Sequence, residues 1–374
     1  MAAHRALTLG ALSASYVLRR PLSLYYGLPA ALRLTLLPAL AAWSAMRAAA
    51  GAAEALRIGL RAHRAPLLRR DGGLLVELAD LAPACTLVSD AHLVVPGQVP
   101  VELADQPAQW PDRELPTGYD IAHRLARLLA HVAHHAPGVV VWCGDEVDTG
   151  DPREWEQWQT IVDVMPGLVH RLVPGNHDIC FNHPYDEDFA LARRAMRERA
   201  YQQHAGSLAE LPVADTIVTE VGAATLVLLD SCRNRSRHVL SNAIGCFGDV
   251  QLDELAQLLA RTHGPVLCIA HHHVWREAKF EEPVDWYTTA IDAGRLIAIL
   301  GTYQRRDPRN AVLVCHGHQH LLAAGFVDDI AVVGLPSSTL GDKSRSGVLD
   351  GVLRYAVAGL RSDGSWGVSF QEVT

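Results

Sequence analysis

From Pro83 onward the chain alternates short apolar runs with longer segments in which apolar residues recur every three or four positions. Runs of four to seven residues bounded by Gly, Pro, Asp or His predict strands, and the 3.6-residue periodicity between them predicts amphipathic helices. Strands are expected at Cys85–Ser89, Val139–Cys143, Leu168–Val173, Thr216–Val221, Thr225–Leu229, Val266–Ala270, Ala311–Cys315 and Ile330–Val333. Helices are expected at Tyr119–His135, Pro152–Val164, Glu187–His204, Asp249–Thr262 and Thr288–Gln304. Such alternation is the mark of an α/β layered fold. No internal repeat interrupts it.

Ahead of Pro83 the pattern is different. Pro21 to Met46 holds twenty-six residues with a single charge, Arg33, which is long enough to span a bilayer, but Pro29 and Pro38 would break or kink a helix there. From Ala48 to Leu68, arginines at 57, 61 and 64 fall on one helical flank opposite Leu56 and Leu60, as in a helix lying on a membrane. A transit peptide, a twin-arginine export signal at Arg19-Arg20, and a helical pair packed on the following domain are the other readings. The chain is accordingly divided into a basic, hydrophobic, helical arm at 1–80 and a domain at 81–374.

Composition sharpens this division. With 374 residues and 49% hydrophobic content the chain can bury a large core, which excludes disorder throughout. The net charge of −8 conceals an asymmetry, because residues 1–70 hold ten arginines, no lysine and one acid, Glu54. That segment is +9 and leaves −17 for the remainder. The arm thus suits an anionic membrane surface or a targeting role, and the acidic remainder argues against general nucleic-acid binding. Seven scattered cysteines, never in CxxC spacing, suggest neither a disulfide framework nor a zinc knuckle. They are expected to place the domain in a reducing compartment, the cytoplasm, where the arm, read as an anchor, would make it peripheral at the inner face of a membrane. The sequence carries no mark of oligomeric state.

Most of the expected strands end in polar clusters, and loops at strand ends are where α/β folds place their sites. In order these are Asp90-Ala91-His92, Gly144-Asp145-Glu146-Val147-Asp148, Gly175-Asn176-His177-Asp178, His271-His272-His273 and Gly317-His318-Gln319-His320. Oxygen and imidazole donors without cysteine suit Mn, Fe or Zn. As they stand, these residues resemble the pattern of the calcineurin-like metallophosphoesterase superfamily: DxH, GDxxD, GNHD, a strand-terminal His, then GHxH. Each piece alone is weak, but five in order after five expected strands are specific. The resemblance covers Thr86 to Thr339, including Asp230-Ser231 and Gly245-Cys246-Phe247-Gly248 ahead of Gln251 and Leu252.

The resemblance implies a four-layer α/β/β/α sandwich holding two metal ions that hydrolyse a phosphate ester. Carried over by position, Asp90, His92, Asp145 and His320 take the first ion, and Asp145, Asn176, His271 and His318 the second, with Asp145 bridging. A hydroxide held between the ions is the implied nucleophile. His177 resembles the histidine that contacts phosphate and protonates the leaving oxygen, with Asp178 orienting its ring. Three adjacent histidines leave His272 as an alternative to His271, which first follows the apolar run. Asp148 stands where the purple acid phosphatase branch has a tyrosine ligand, and Glu146 where the family usually has an apolar residue.

Thr149 to Trp155 looks like the branch that contains cyclic-nucleotide phosphodiesterases. Asn176 is a neutral ligand, so two carboxylates face two divalent ions, a balance that favours phosphodiesters over dianionic monoesters. A phosphomonoesterase, including a protein phosphatase, and a non-catalytic scaffold recruited to membranes are the alternatives. The family's lipid A precursor hydrolases carry Arg where this chain has His177. Specificity is expected from the irregular stretches Leu93–Gly118, Ser231–Gly248 and Val274–Tyr287. Within them Arg233, Arg235 and Arg237 are candidates to grip an anion, and Trp275 and Trp286 either stack on substrate or cover the core.

Overall fold

The computed structural model describes residues 66–70, 72–95, 98, 100, 120–181, 187–233, 243–276, 288–343 and 349–374, with 49, 53 and 57. Among them the chain runs β1 (Arg69–Arg70), β2 (Ala82–Val88), α1 (Ile121–His135), β3 (Val139–Trp142), α2 (Pro152–Asp163), β4 (Val169–Leu172), the single turn α3 (Asn176–Ile179) and α4 (Glu187–His204). It continues through β5 (Val213–Thr219), β6 (Gly222–Leu228), α5 (Asp249–Arg261), β7 (Val266–Ile269), α6 (Ala293–Arg306) and β8 (Val312–His316). β9 (Ala323–Val327), β10 (Ile330–Gly334), β11 (Arg354–Leu360) and β12 (Trp366–Glu372) complete it.

The strands form two sheets, one of five strands in the order β12-β11-β2-β3-β4 and one of seven in the order β1-β9-β10-β8-β7-β6-β5. β2, β3 and β4 are parallel, as are β6, β7, β8 and β10, and the remaining pairings, β11 with β2 and β12, β9 with β10 and β1, and β5 with β6, are antiparallel. Successive side chains of a strand face opposite ways, so a strand covered on both sides reads as an unbroken apolar run. β2 shows this. Cys85 and Leu87 point between the sheets, where they join Val141, Leu267, Ile269, Leu313 and Val333. Val88 points outward with Val140 and Trp142 against Leu125, Leu128 and Leu129 of α1 and Trp155 and Trp158 of α2. On the far side Leu252, Leu255 and Leu259 of α5 and Leu296, Ile297 and Leu300 of α6 cover Val227, Cys268, Val314 and Val332. The fold is the expected four-layer α/β/β/α sandwich.

Local chemistry sets several helix starts. Asp120 caps α1 by accepting from the His123 amide at 3.0 Å. Asp151 accepts from the Arg153 amide at 3.0 Å, Glu154 reaches back to the Asp151 amide at 3.2 Å, and Pro152 occupies the first helical position of α2. α6 begins at Ala293 and not at the expected Thr288, because the preceding residues are held in other pairings. Thr289 bridges His273, the Ala290 amide donates to the His273 carbonyl at 2.9 Å, and the Asp292 carboxylate accepts from the Phe247 and Gly248 amides.

Residues 66–80, given to the arm by the sequence, belong to the domain. β1 pairs with β9, Leu67 bridges Arg276, and Leu68 and Leu74 are buried in two different core clusters. The rest of the arm, including Pro21 to Met46, lies outside the described residues apart from Ala49, Ala53 and Arg57. Among the described residues no helix is long and apolar enough to cross a membrane. A chain beginning at Pro66 is expected to melt like the full-length protein. One beginning at Leu81 loses two buried leucines and an edge strand, and should melt at least about 5 °C lower by differential scanning calorimetry.

Candidate metal centre

Every expected ligand leaves the carboxyl end of a strand. Asp90 and His92 follow β2, Asp145 follows β3, and Asn176 follows β4 as the first residue of α3. His271 follows β7, and His318 and His320 follow β8 of the other sheet. The two sheets thus meet over one buried polar cluster, in which every one of these residues is less than a tenth exposed.

Asp145 lies at its centre. One of its oxygens is 3.1 Å from His271 Nε2 and 3.9 Å from His92 Nε2, and the other accepts from the His177 amide at 2.8 Å. His271 Nε2 is also 3.0 Å from Asn176 Oδ1. His320 Nε2 is 3.4 Å from Asp90 Oδ1 and 3.0 Å from His92 Nε2. Donors close enough to share an ion form the groups Asp90-His92-His320, Asp145-His271-His318 and His92-Asp148-His177. His272 faces elsewhere, with its Nδ1 2.8 Å from Ser231 Oγ. Of the three adjacent histidines, it is His271 that the fold brings to Asp145.

The outer hydrogen bonds fix which nitrogen of each ring faces inward. His92 Nδ1 donates to Asp148 at 2.9 Å and His271 Nδ1 to the Cys143 carbonyl at 3.0 Å, so each turns Nε2 to the cluster. His318 is reversed. Its Nε2 donates to the Ala243 carbonyl at 3.0 Å, and its buried Nδ1 has no partner. An orphaned imidazole nitrogen beside Asp145, together with carboxylate, imidazole and amide oxygen donors, fits two borderline divalent ions.

The backbone carries a second signature. Asp90, His92, Asp145, His318 and His320 all have positive φ, between 46° and 80°, whereas the other described non-glycine residues with positive φ are Asp328 and Asp329 of the β9–β10 turn. Each such residue costs about 1–3 kcal/mol, and the cost persists only where the surroundings impose it. The glycines of the motifs are explained by the same crowding. A Cβ on Gly317 would lie 2.1 Å from Asp90 Oδ2, and one on Gly175 2.1 Å from Asp145 Oδ1. One on Gly144 would meet His271 Nδ1 at 2.5 Å.

Two carboxylates buried together need positive charge. Burial works against ionised Asp90 and Asp145, yet neighbouring His320 holds Asp90 below the usual carboxylate range and His271 holds Asp145 well below it. Burial likewise opposes charging the rings, but Asp148 and Asp145 bring His92 up to about 10, and Asp145 brings His271 to about 9. An ion held by the two Nε2 atoms would displace any protons there, so binding would be coupled to proton release. His318 stays neutral, pushed well down by burial and the adjoining His272 and His271.

His177 is partly buried, with its side chain 20% exposed, and its Nδ1 donates to the Asp148 carbonyl at 2.7 Å. The expectation that Asp178 orients this ring is corrected by the structure. Its carboxylate accepts from the Asp145, Val147 and Gly175 amides at 2.9, 3.1 and 2.7 Å, and so fixes the backbone of the two ligand loops. Asp148 is the residue that touches both His92 and His177. Burial and adjacent Asp178 raise Glu146 well above the usual carboxyl range. Sequence reading missed the Ser337-Ser338-Thr339 turn, whose hydroxyls hold the Asp90 and Ala91 carbonyls and the Ser89 amide. Trp275 is fully buried and donates to His316 Nε2 at 2.7 Å, which makes it a core residue. Arg233 pairs with Asp230 at 3.2 Å. Arg235, Arg237 and Trp286 lie outside the described residues.

The family model described as calcineurin-like phosphoesterase matches residues 85–322, and the chain belongs to that family. The family implies a dinuclear metal centre, and the chain is a metal-dependent phosphoesterase. Among similar solved structures is a dimetal phosphatase from Danio rerio, at 15% identity and a TM-score of 0.48, covering 79% of this chain and 99% of that one. A purple acid phosphatase from yellow lupin (Lupinus luteus) shares 9% identity at a TM-score of 0.48, covering 77% and 53%. A phosphopantetheinyl hydrolase from Mycobacterium tuberculosis shares 13% at a TM-score of 0.39, covering 69% and 90%. No curated protein matches the chain.

Proposed function

We propose that the chain is a two-metal phosphodiesterase in which Asp90, His92, Asp145 and His320 hold one ion and Asp145, Asn176, His271 and His318 the other. The observation that carries this reading is the position of Asp145, whose single Oδ2 faces His92 from one donor group and His271 from the other. When bound, the ion pair supplies a Lewis acid for the phosphate and lowers the pKa of water to near neutrality. The chain's own residues then position and transfer protons. Asp178 keeps the Asp145 and Asn176 loops in register, and the Asp148 carbonyl holds His177 so that Nε2 meets the leaving oxygen.

A diester is favoured by charge. Two carboxylates offset half of the four positive charges on two divalent ions, and a monoanionic diester together with a hydroxide would offset the other half. Three arginines on or near α4 are engaged elsewhere: Arg194 with the Cys232 carbonyl and Glu198, Arg197 with the Cys180 carbonyl, and Arg233 with Asp230. Parallel assays with Mn should give a kcat/KM on bis-p-nitrophenyl phosphate at least about tenfold above that on p-nitrophenyl phosphate, a difference of about 1.4 kcal/mol. A preference for the monoester would replace this reading by a phosphomonoesterase or protein phosphatase.

The arm completes the proposal as an anchor on an anionic membrane surface. Basic residues near such a surface contribute ~1 kcal/mol each, so a few engaged arginines hold the chain there. Full-length protein should sediment with phosphatidylserine-containing liposomes, and the chain beginning at Pro66 should not. Equal sedimentation of the two would move the contact into the domain, and no sedimentation of either would remove the anchor.

A further inference from the structure

The carboxyl end of α1 carries three histidines that the metal centre does not use, His131, His134 and His135. Residues four apart on a helix lie one above the other, and His131 and His135 do so with ring centres 4.4 Å apart. His134 is held apart from them. Its Nδ1 donates to the Ala130 carbonyl at 2.6 Å, and its ring centre is 6.2 Å from that of His135. His134 and His135 are exposed, and His131 is half-buried beside Tyr355 of β11.

The cluster lies away from the proposed ion pair. α1 ends at His135 and β3 begins at Val139, whereas Asp145 follows the other end of β3, so the whole length of that strand separates the two.

We propose that His131 and His135 form a further metal site at the carboxyl end of α1, which takes one zinc ion through the two Nε2 atoms, with water completing its shell.

The spacing of the rings suits zinc. With a Zn–N distance of about 2.1 Å the ion stands ~3.2 Å from each ring centre, so rings 4.4 Å apart meet it at an angle of about 90°, which a small side-chain rotation opens to the tetrahedral value. A ligating imidazole usually gives its other N–H to a fixed acceptor, which sets the ring. His131 has such a partner. Its Nδ1 is 3.2 Å from the hydroxyl oxygen of Tyr355, a residue of the core. A proton would compete with the ion, yet burial, and then neighbouring His135 and His134, hold His131 below the ordinary histidine value. The carbonyls left unpaired in the last turn make a helix end partly negative, which also favours a cation. Imidazole donors prefer zinc to manganese, magnesium or calcium, so these ions should not fill the position.

The test is equilibrium dialysis of manganese-loaded full-length protein against zinc at neutral pH, with both metals counted per chain. Wild-type protein is expected to take up one zinc ion beyond any that replaces manganese. His135→Ala should bind that extra ion at least about tenfold more weakly, a loss of about 1.4 kcal/mol or more. His131→Ala should match it, and His134→Ala should bind as the wild type does. Equal uptake by wild type and His135→Ala would overturn the proposal, as would uptake that only replaces manganese. An equal loss in His134→Ala would assign the binding to the histidine content of the helix end and overturn it too. Should His131→Ala, which loses the Tyr355 contact, fail to fold, exposed His135 keeps the comparison available. The count needs no turnover, so it stands or falls separately from the phosphodiesterase reading.

Discussion

Asp145→Ala is expected to remove both ions at once and to lower turnover by about 10³-fold or more, roughly 4 kcal/mol of transition-state stabilisation. The reason is geometric. Among the described residues no other carboxylate is near both His92 and His271, and Asp90 contacts His320. The substitution sits in a loop after β3 and leaves all three core clusters intact, so the far-ultraviolet circular dichroism spectrum should be unchanged. Metal analysis of the purified variant is the deciding measurement. Two ions per chain after this change would sink the bridging role.

His177→Ala should separate proton transfer from phosphate binding. With Nδ1 fixed on the Asp148 carbonyl, Nε2 is the atom available to a leaving oxygen. Loss of a general acid typically costs 10²–10⁴-fold, so turnover of alkyl diesters should fall by about 10²-fold or more. Aryl diesters, whose leaving groups need no proton, should suffer far less. Metal content should stay near that of the unaltered enzyme, because the ring lies outside both proposed ligand sets. Equal losses on good and poor leaving groups would make His177 a phosphate contact and not a proton donor.

Much of this architecture was legible in the chain because its parallel strands are covered on both faces. Val139–Trp142 and Val266–Ile269 are unbroken apolar runs, each followed by a polar cluster, and both were found. β9, β11 and β12 were missed for a different reason. Ala and Gly dilute the apolar residues of β9 and β11, and Gly, Ser and Gln those of β12, and Gly325 is needed where β9 lies so close to Arg69 that a Cβ would sit 2.3 Å from its carbonyl oxygen. Asp363-Gly364, with positive φ at the glycine, was a readable turn signal for the β11–β12 hairpin. β5 starts at Val213, three residues before its expected beginning, because the two-residue turn at Glu220-Val221 sets its register with β6. At the site, residue types and order identified the cluster. They did not reveal which carboxylate serves the backbone and which the ring, because Asp148 and Asp178 differ only in where their loops aim them.

The distribution of donors between the sheets has a mechanical consequence. Asp90, His92, Asp145 and Asn176 hang from the five-stranded sheet, and His271, His318 and His320 from the seven-stranded one, so each proposed ion position is a rivet through the seam. Shear of one sheet over the other would stretch both positions together. The packing that resists shear lies between the sheets, in residues such as Val141 and Leu267, which touch no ligand side chain's chemistry. Loosening that distant layer is thus a route to weaker metal retention with every ligand in place. Tightening it makes the sandwich itself an affinity control.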